Sequence, residues 1–230
     1  MFFVYYFRQP LPPFASLQSR VVPSPNVVNI PLTLGITGGI GSGKTTVCRL
    51  LEERGARIFY ADAEAKRLME THPEVRAEIV AAFGPESYDE EGRLNRAYLA
   101  TRVFGDEKQV ARINAIVHPR VFEAFEEARE QAQRDGIPLL VKEAALIFET
   151  GGERHLDAVA VVDAPVDARI DRVTARDHVT PEQVTARMQH QRPPEELRRR
   201  ADYVIENHGS PADLRRQVDA LYQALLKRET

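Results

Sequence analysis

The chain alternates short apolar runs with longer stretches in which apolar residues recur every three or four positions. Leu32 to Thr37, Arg57 to Ala61, Leu139 to Glu143, Val159 to Asp163 and Ala201 to Glu206 read as five strands. The run Val159-Ala160-Val161-Val162 is uninterrupted and β-branched, as a parallel strand covered on both faces requires. The intervening stretches carry helical period. After Thr46-Val47-Cys48-Arg49-Leu50-Leu51, Gly55 supplies a stop. Pro73 opens a helix with Val75, Ile79 and Phe83 on one face, and Gly84-Pro85 closes it. Leu94 to Val103 and Glu107 to Val117 are further helical stretches. His118-Pro119 is predicted to break the second of them, because proline lacks an N–H and its ring disfavours the preceding turn. Val121, Phe122, Phe125 and Ala128 then start another amphipathic helix that ends at Asp135-Gly136.

Beyond the fourth strand, Pro165 opens a helix whose core stripe is Val166, Ile170 and Val173. Thr180-Pro181-Glu182-Gln183 reads as an N-cap, a first-turn proline and a capping-box partner. The charged segment that follows, interrupted by Pro193-Pro194, is expected to be a mobile lid. Ala212 to Lys227 forms a closing helix. Strands alternating with helices predict an α/β fold with a parallel sheet. No internal repeat is visible.

One stretch carries chemistry of its own. Gly38-Gly39-Ile40-Gly41-Ser42-Gly43-Lys44-Thr45 follows the first strand and leads into the first helix. Strand, glycine-rich loop ending in Lys-Thr, and helix together make a phosphate-binding P-loop. The glycines let backbone N–H groups approach phosphate oxygens, and the helix N-terminus directs its positive dipole end at the same anion. Lys44 supplies an ammonium for the β- and γ-phosphates, and the Thr45 hydroxyl is placed to ligate a bridging Mg²⁺. The pattern predicts binding of a nucleoside triphosphate.

Other candidates lie at strand ends, the edge at which open α/β sheets bind ligands. Asp62 stands at the end of the second strand. It reads as a catalytic carboxylate ahead of a helix cap. Asp163, ending the fourth strand, fits both a Walker B carboxylate and a cap for the next helix. Arg169, Arg172 and Arg176 form a stripe suited to a transferring phosphoryl group. Arg169 is read as part of a solvated face paired with nearby acids, and Arg172 and Arg176 as functional. His118 suits a ligand contact and a structural residue at a bend equally well.

Composition narrows the class. Hydrophobic residues make up 43% and charged residues 28% of 230, with a net charge of −3, which gives no footing for a general nucleic-acid binder. A single cysteine, Cys48, excludes a disulfide framework and a cysteine zinc cluster. No apolar run is long enough to cross a membrane as a helix. Residues 1–30 differ from the rest. An aromatic run, Phe2 to Phe7, precedes five prolines, and the first basic residue comes after it. This is not the order of a secretory signal. The segment is expected to be a poorly ordered extension arising from an upstream start codon, with targeting as the second reading.

The ordered set of motifs resembles the dephospho-coenzyme A kinase family from about Leu32 to Leu226. The residues that carry the resemblance are Leu34 to Thr46, Ala61-Asp62, Gly92-Arg93-Leu94-Asn95-Arg96 with Leu99 and Phe104, and Asn114 to His118-Pro119. Leu146-Ile147-Phe148-Glu149, Arg172 with Arg176-Asp177, Gln191, and Ala201 to Asn207 complete it. The resemblance implies a three-layer P-loop fold with a five-stranded parallel sheet. Its core would comprise 31–62, 136–172 and 201–230, with a helical coenzyme-binding insertion at 63–135 and a lid at 173–200. It implies transfer of a phosphoryl group from ATP, with Mg²⁺, to the ribose 3′-hydroxyl of dephospho-coenzyme A. Gly39, Ile40, Gly41, Ser42, Gly43, Lys44, Thr45, Thr46 and Asn207 would hold ATP. Asp62, Arg96 and His118 would meet the acceptor, and Lys44, Asp62, Arg172 and Arg176 would be catalytic. The expected setting is cytoplasmic, as a monomer or weak homo-oligomer. Two positions depart from the family pattern: Tyr60 where a second acid is usual, and Ala145 where proline is usual.

Three other readings compete. A nucleoside monophosphate kinase would share the loop and lid but not the large insertion or the Asp62 and His118-Pro119 context. A GTPase would need an Asn-Lys-x-Asp motif, which is absent, and Asp89-Glu90-Glu91-Gly92 follows no strand. A non-catalytic nucleotide binder would have no use for Lys44, Thr45, Asp62 and Arg172 together.

Overall fold

The structure, a computed structural model, describes residues 30–227 except 104 and 190. The expected extension and Phe104 therefore lie outside the described residues. Five strands form one parallel sheet in the order β2-β3-β1-β4-β5. They are β1 (Leu32–Thr37), β2 (Arg57–Tyr60), β3 (Leu139–Glu143), β4 (Ala158–Asp163) and β5 (Tyr203–Glu206). The central strand is β1, between β3 and β4, with Leu34 and Ile36 fully buried.

Helices cover both faces. On one face lie α1 (Lys44–Glu52) and α9 (Pro211–Leu226), which bury Val47, Cys48, Leu51, Val218 and Leu221 against Leu34, Ile36, Leu139, Val141 and Ala160. Removing a side chain such as Leu34 from this core costs about 2–5 kcal/mol. The segment after β3 packs Ile147 and Phe148 with Val159, Val161 and Leu197 of α8 (Pro194–Arg200) in a second cluster.

Between β2 and β3 stand α2 (Ala61–Thr71), α3 (Pro73–Phe83), α4 (Arg96–Val103) and α5 (Glu107–Arg134). Their own cluster contains Leu68, Val75, Ile79, Phe83, Leu99, Val117 and Val121. An edge-to-face contact between Phe59 and Phe125, at 5.3 Å, fastens α5 to β2. After β4 come α6 (Val166–Asp177) and α7 (Pro181–Met188). The capping box expected at Thr180 and Gln183 is present.

The structure corrects two expectations about elements. The break at His118-Pro119 does not occur, and α5 runs unbroken for 28 residues with Pro119 inside it. Val117, Val121 and Phe125, spaced by four on either side of the proline, are all buried, and that shared stripe offsets the missing hydrogen bond. The second strand ends at Tyr60, and α2 begins at Ala61 with Tyr60 as N-cap and no capping side chain. Asp62 therefore lies in the first turn of α2 and is not its cap. Among the described residues, no helix is long and apolar enough to cross a membrane.

Candidate active site

The P-loop spans Gly38 to Gly43 between β1 and α1, and Gly43 adopts the left-handed region at φ 101°. Thr46 and Val47 donate their N–H groups to the Gly43 carbonyl. The N–H groups of Lys44 and Thr45, at the open end of the helix, have no partner among the described residues and are left for an anion.

The loop's carbonyls are tied back to the protein. Arg169 Nε donates to Ile40 O at 3.0 Å. Arg172 Nη1 donates to Gly41 O at 3.2 Å and Ser42 O at 3.4 Å, and its Nη2 donates to Asn207 O at 3.3 Å. Asn207 Nδ2 donates to Ser42 O at 2.7 Å. On the N–H side, Ile40 donates to Gln191 Oε1 at 2.8 Å. Close packing explains the glycines as much as phosphate does. A Cβ on Gly41 would stand 2.5 Å from Arg169 O, and one on Gly43 would collide with the Asn207 amide.

Arg169 thus corrects the solvated-face reading. It is only 5% exposed and is packed against the loop. Arg172 also reaches the loop, where it grips backbone carbonyls. Arg176 is not brought there. Its guanidinium is paired with Asp177, which also receives Arg187.

Lys44 Nζ donates to Gly38 O at 2.9 Å and Gly39 O at 3.5 Å, folding back over its own loop. Burial lowers its pKa, while the carboxylates of Glu143 and Asp62 act in the opposite direction. Asp62 is exposed in the first turn of α2 and makes no hydrogen bond or ion pair among the described residues. Glu143 ends β3, in register with Ile36 on one side and Tyr60 on the other. Burial raises its carboxyl pKa, Lys44 opposes the shift, and Asp62 adds to it. Lys44, Glu143 and Asp62 lie near the C-terminal ends of β1, β3 and β2, and the two carboxylates favour the charged form of the Lys44 ammonium. Sequence reasoning used Glu143 only as the end of a strand. The available signal was an acid closing an apolar parallel strand, the same signal that marked Asp62. An acid is thus present beside Tyr60 on the neighbouring strand, and burial raises the Tyr60 phenol's own pKa.

The remaining candidates are dispersed. Asp163 does not cap α6, whose N-cap is Pro165, and its carboxylate is held by Arg198 at 2.8 Å. His118 sits half-buried within α5, its pKa lowered by burial and then by Lys142. Arg96, at the start of α4, is exposed and paired with Glu70 at 2.9 Å. Thr45 and Thr46 are exposed on the first turn of α1. No group of three or more His, Cys, Asp or Glu among the described residues could hold a metal by itself. The exposed Thr45 hydroxyl, beside the open N–H groups of α1, is chemically suited to an ion that phosphate oxygens otherwise hold.

A parallel sheet that carries a P-loop on its central strand, with a lysine and two carboxylates at its C-terminal edge, defines a P-loop nucleotide-binding protein, the class that includes the P-loop kinases. The sequence matches the family model described as Dephospho-CoA kinase over residues 32–213. It is 61% identical to the dephospho-CoA kinase of Salinibacter ruber over 193 residues, which cover 84% of this chain and 97% of that one. It is 46% identical to the dephospho-CoA kinase of Deinococcus radiodurans over 203 residues, covering 88% and 97%. The crystal structure of TT1252 from Thermus thermophilus superposes with a TM-score of 0.74 at 40% identity, covering 85% of this chain and 98% of that one. The dephospho-CoA kinase of Campylobacter jejuni has the same fold, with a TM-score of 0.63 at 24% identity over 86% of this chain and 98% of that one. The chain belongs to the dephospho-CoA kinase family, and it is a kinase.

Proposed function

We propose that this chain transfers the γ-phosphoryl group of ATP to the ribose 3′-hydroxyl of dephospho-coenzyme A, giving coenzyme A and ADP. The observation that carries this reading is the P-loop on the central strand, with the Lys44 and Thr45 N–H groups left open and Asp62, unpaired among the described residues, just past the C-terminal end of β2. Phosphoryl transfer asks mainly for in-line positioning and charge stabilisation. The N–H groups at the start of α1 hold the phosphates, and the Lys44 ammonium leaves Gly38 O to meet the γ-phosphate. Asp62, free of protein partners and next to the insertion, orients the acceptor hydroxyl and takes its proton. Mg²⁺, with Thr45 as its protein ligand, neutralises phosphate charge when bound.

The insertion at 63–135 receives the coenzyme, with His118 and Arg96 on that side, and 173–200 serves as the lid. Arg172 acts chiefly by holding the loop. Arg176 reaches the transferring group only when its pair with Asp177 opens. Asn207 shapes the nucleotide side through Ser42. The reaction takes place in the cytoplasm, and the chain acts as a monomer or a weakly associating one.

The test is ATP-to-ADP turnover with dephospho-coenzyme A set against adenosine, AMP and other nucleotides. A strong preference for dephospho-coenzyme A supports the assignment. Equal turnover of the alternatives would leave only the P-loop kinase class.

A further inference from the structure

Among the described residues of the segment joining α7 to α8, Gln191 is hydrogen-bonded to the nucleotide loop. Gln191 Oε1 accepts the Ile40 N–H at 2.8 Å, and Arg169 Nε donates to the Ile40 carbonyl at 3.0 Å. These two bonds fix successive peptide planes, one on each side of the Ile40 Cα. The next residue, Gly41, has φ 78° and packs against the Arg169 backbone. A loop with four glycines is thereby held in one conformation at its apex. The Ile40 N–H is tied down, and those of Lys44 and Thr45 at the start of α1 stay available.

Gln191 is itself anchored. It lines a cavity of about 350 Å³ with Gly39, Arg169, Met188, Pro193 and Leu197. The buried Leu197 fixes α8 to the core, and Gln191 N donates to Met188 O at 3.0 Å at the end of α7.

We propose that Gln191 is a positioning residue for ATP. Its carboxamide oxygen, together with Arg169, preorganises the P-loop and couples the α7–α8 segment to occupation of the nucleotide site. This rests on the reading of Gly38 to Thr45 as a nucleotide loop but not on the identity of the acceptor. Preorganisation lowers the ordering cost that the ligand must otherwise meet. A net hydrogen bond contributes about 0.5–1.5 kcal/mol, so its loss should weaken ATP binding up to about tenfold.

The experiment uses the full chain and two variants, Gln191→Ala and Gln191→Glu. ATP affinity is measured by calorimetry, KM for each substrate by turnover, and exchange of the Ile40 amide by NMR. In Gln191→Ala the Kd and KM for ATP should rise about two- to tenfold, with the acceptor KM nearly unchanged, and the Ile40 amide should exchange faster. Gln191→Glu keeps an acceptor oxygen and should restore slow exchange. An unchanged ATP affinity and unchanged Ile40 exchange in a folded Gln191→Ala protein would overturn the proposal. So would equal losses for both substrates. If the wild type binds ATP but does not turn over dephospho-coenzyme A, the acceptor assignment falls while the Gln191 comparison stands. If the wild type binds no ATP, both fall.

Discussion

Lys44 and Asp62 are the two side chains on which the proposed chemistry turns, and they differ in how the protein holds them. Lys44 is packed into the loop and satisfied by Gly38 O, so its ammonium is stored close to where a phosphate would draw it. Asp62 is exposed, unpaired and at the positive end of α2. Lys44→Ala should lower kcat by roughly 10²–10³, as loss of a charge-stabilising donor does, with little change in Tm. Asp62→Asn keeps the shape and removes the base, and kcat should fall by about 10²–10⁴. Steady-state kinetics on the purified variants reads both effects, and near wild-type turnover in Asp62→Asn would remove Asp62 from the mechanism. The loop was legible in the sequence because its residues are contiguous and its chemistry is local. Glu143 and Arg169 were not recognised as site residues. Glu143 meets Lys44 only through strand pairing, and Arg169 lies 129 residues from the carbonyl it binds. In a stripe with acids nearby, a buried arginine and a solvated one look alike.

At the scale of elements, α5 is the unusual member. Pro119 cannot donate to the carbonyl of Ala115, and an interior proline costs a helix about 3 kcal/mol relative to alanine. Pro119→Ala should therefore raise the melting temperature by a few degrees in thermal unfolding. A lower Tm would mean that the proline ring contributes packing that outweighs the lost bond. His118, one residue earlier, gives α5 a pH dependence. Its pKa is depressed from an ordinary value of 6.5 by burial and by Lys142 of β3. Below that value the unfolded chain binds a proton that the folded chain refuses. The contribution of His118 is thus present above pH 6.5 and lost as pH falls through the depressed folded value. His118→Gln should flatten the decline of Tm with falling pH, and an unchanged slope would contradict this environment for the imidazole. The proline rule misread α5 because it weighs the backbone alone. The burial of Val117, Val121 and Phe125 on one stripe is tertiary and decides the matter. By contrast α3, with Pro73, Val75, Ile79, Phe83 and Gly84, formed as its local pattern required.

For the whole molecule, strand order is what brings distant residues to one edge. Placing β3 between β1 and β2 sets Glu143 between the P-loop strand and the strand that leads to Asp62. The five strands and their parallel character followed from their apolar runs and helical connections. Their order did not, because pairing partners of parallel strands leave little trace in period or propensity. Arg169, Arg172 and Asn207 bind the loop's carbonyls, so the loop is braced from α6 and from the residue after β5. The loop's donor set also predicts a metal requirement. Removing divalent cations with a chelator should abolish turnover, and adding Mg²⁺ should restore it. The most direct measurement of the central claim is the product itself. The purified chain would be incubated with ATP and dephospho-coenzyme A, and the position of the new phosphate read by NMR, with Asp62→Asn run in parallel. The account predicts coenzyme A bearing its phosphate on the ribose 3′-oxygen, formed together with ADP and nearly absent in the variant. ADP without a phosphorylated coenzyme, or phosphate on another hydroxyl, would contradict it.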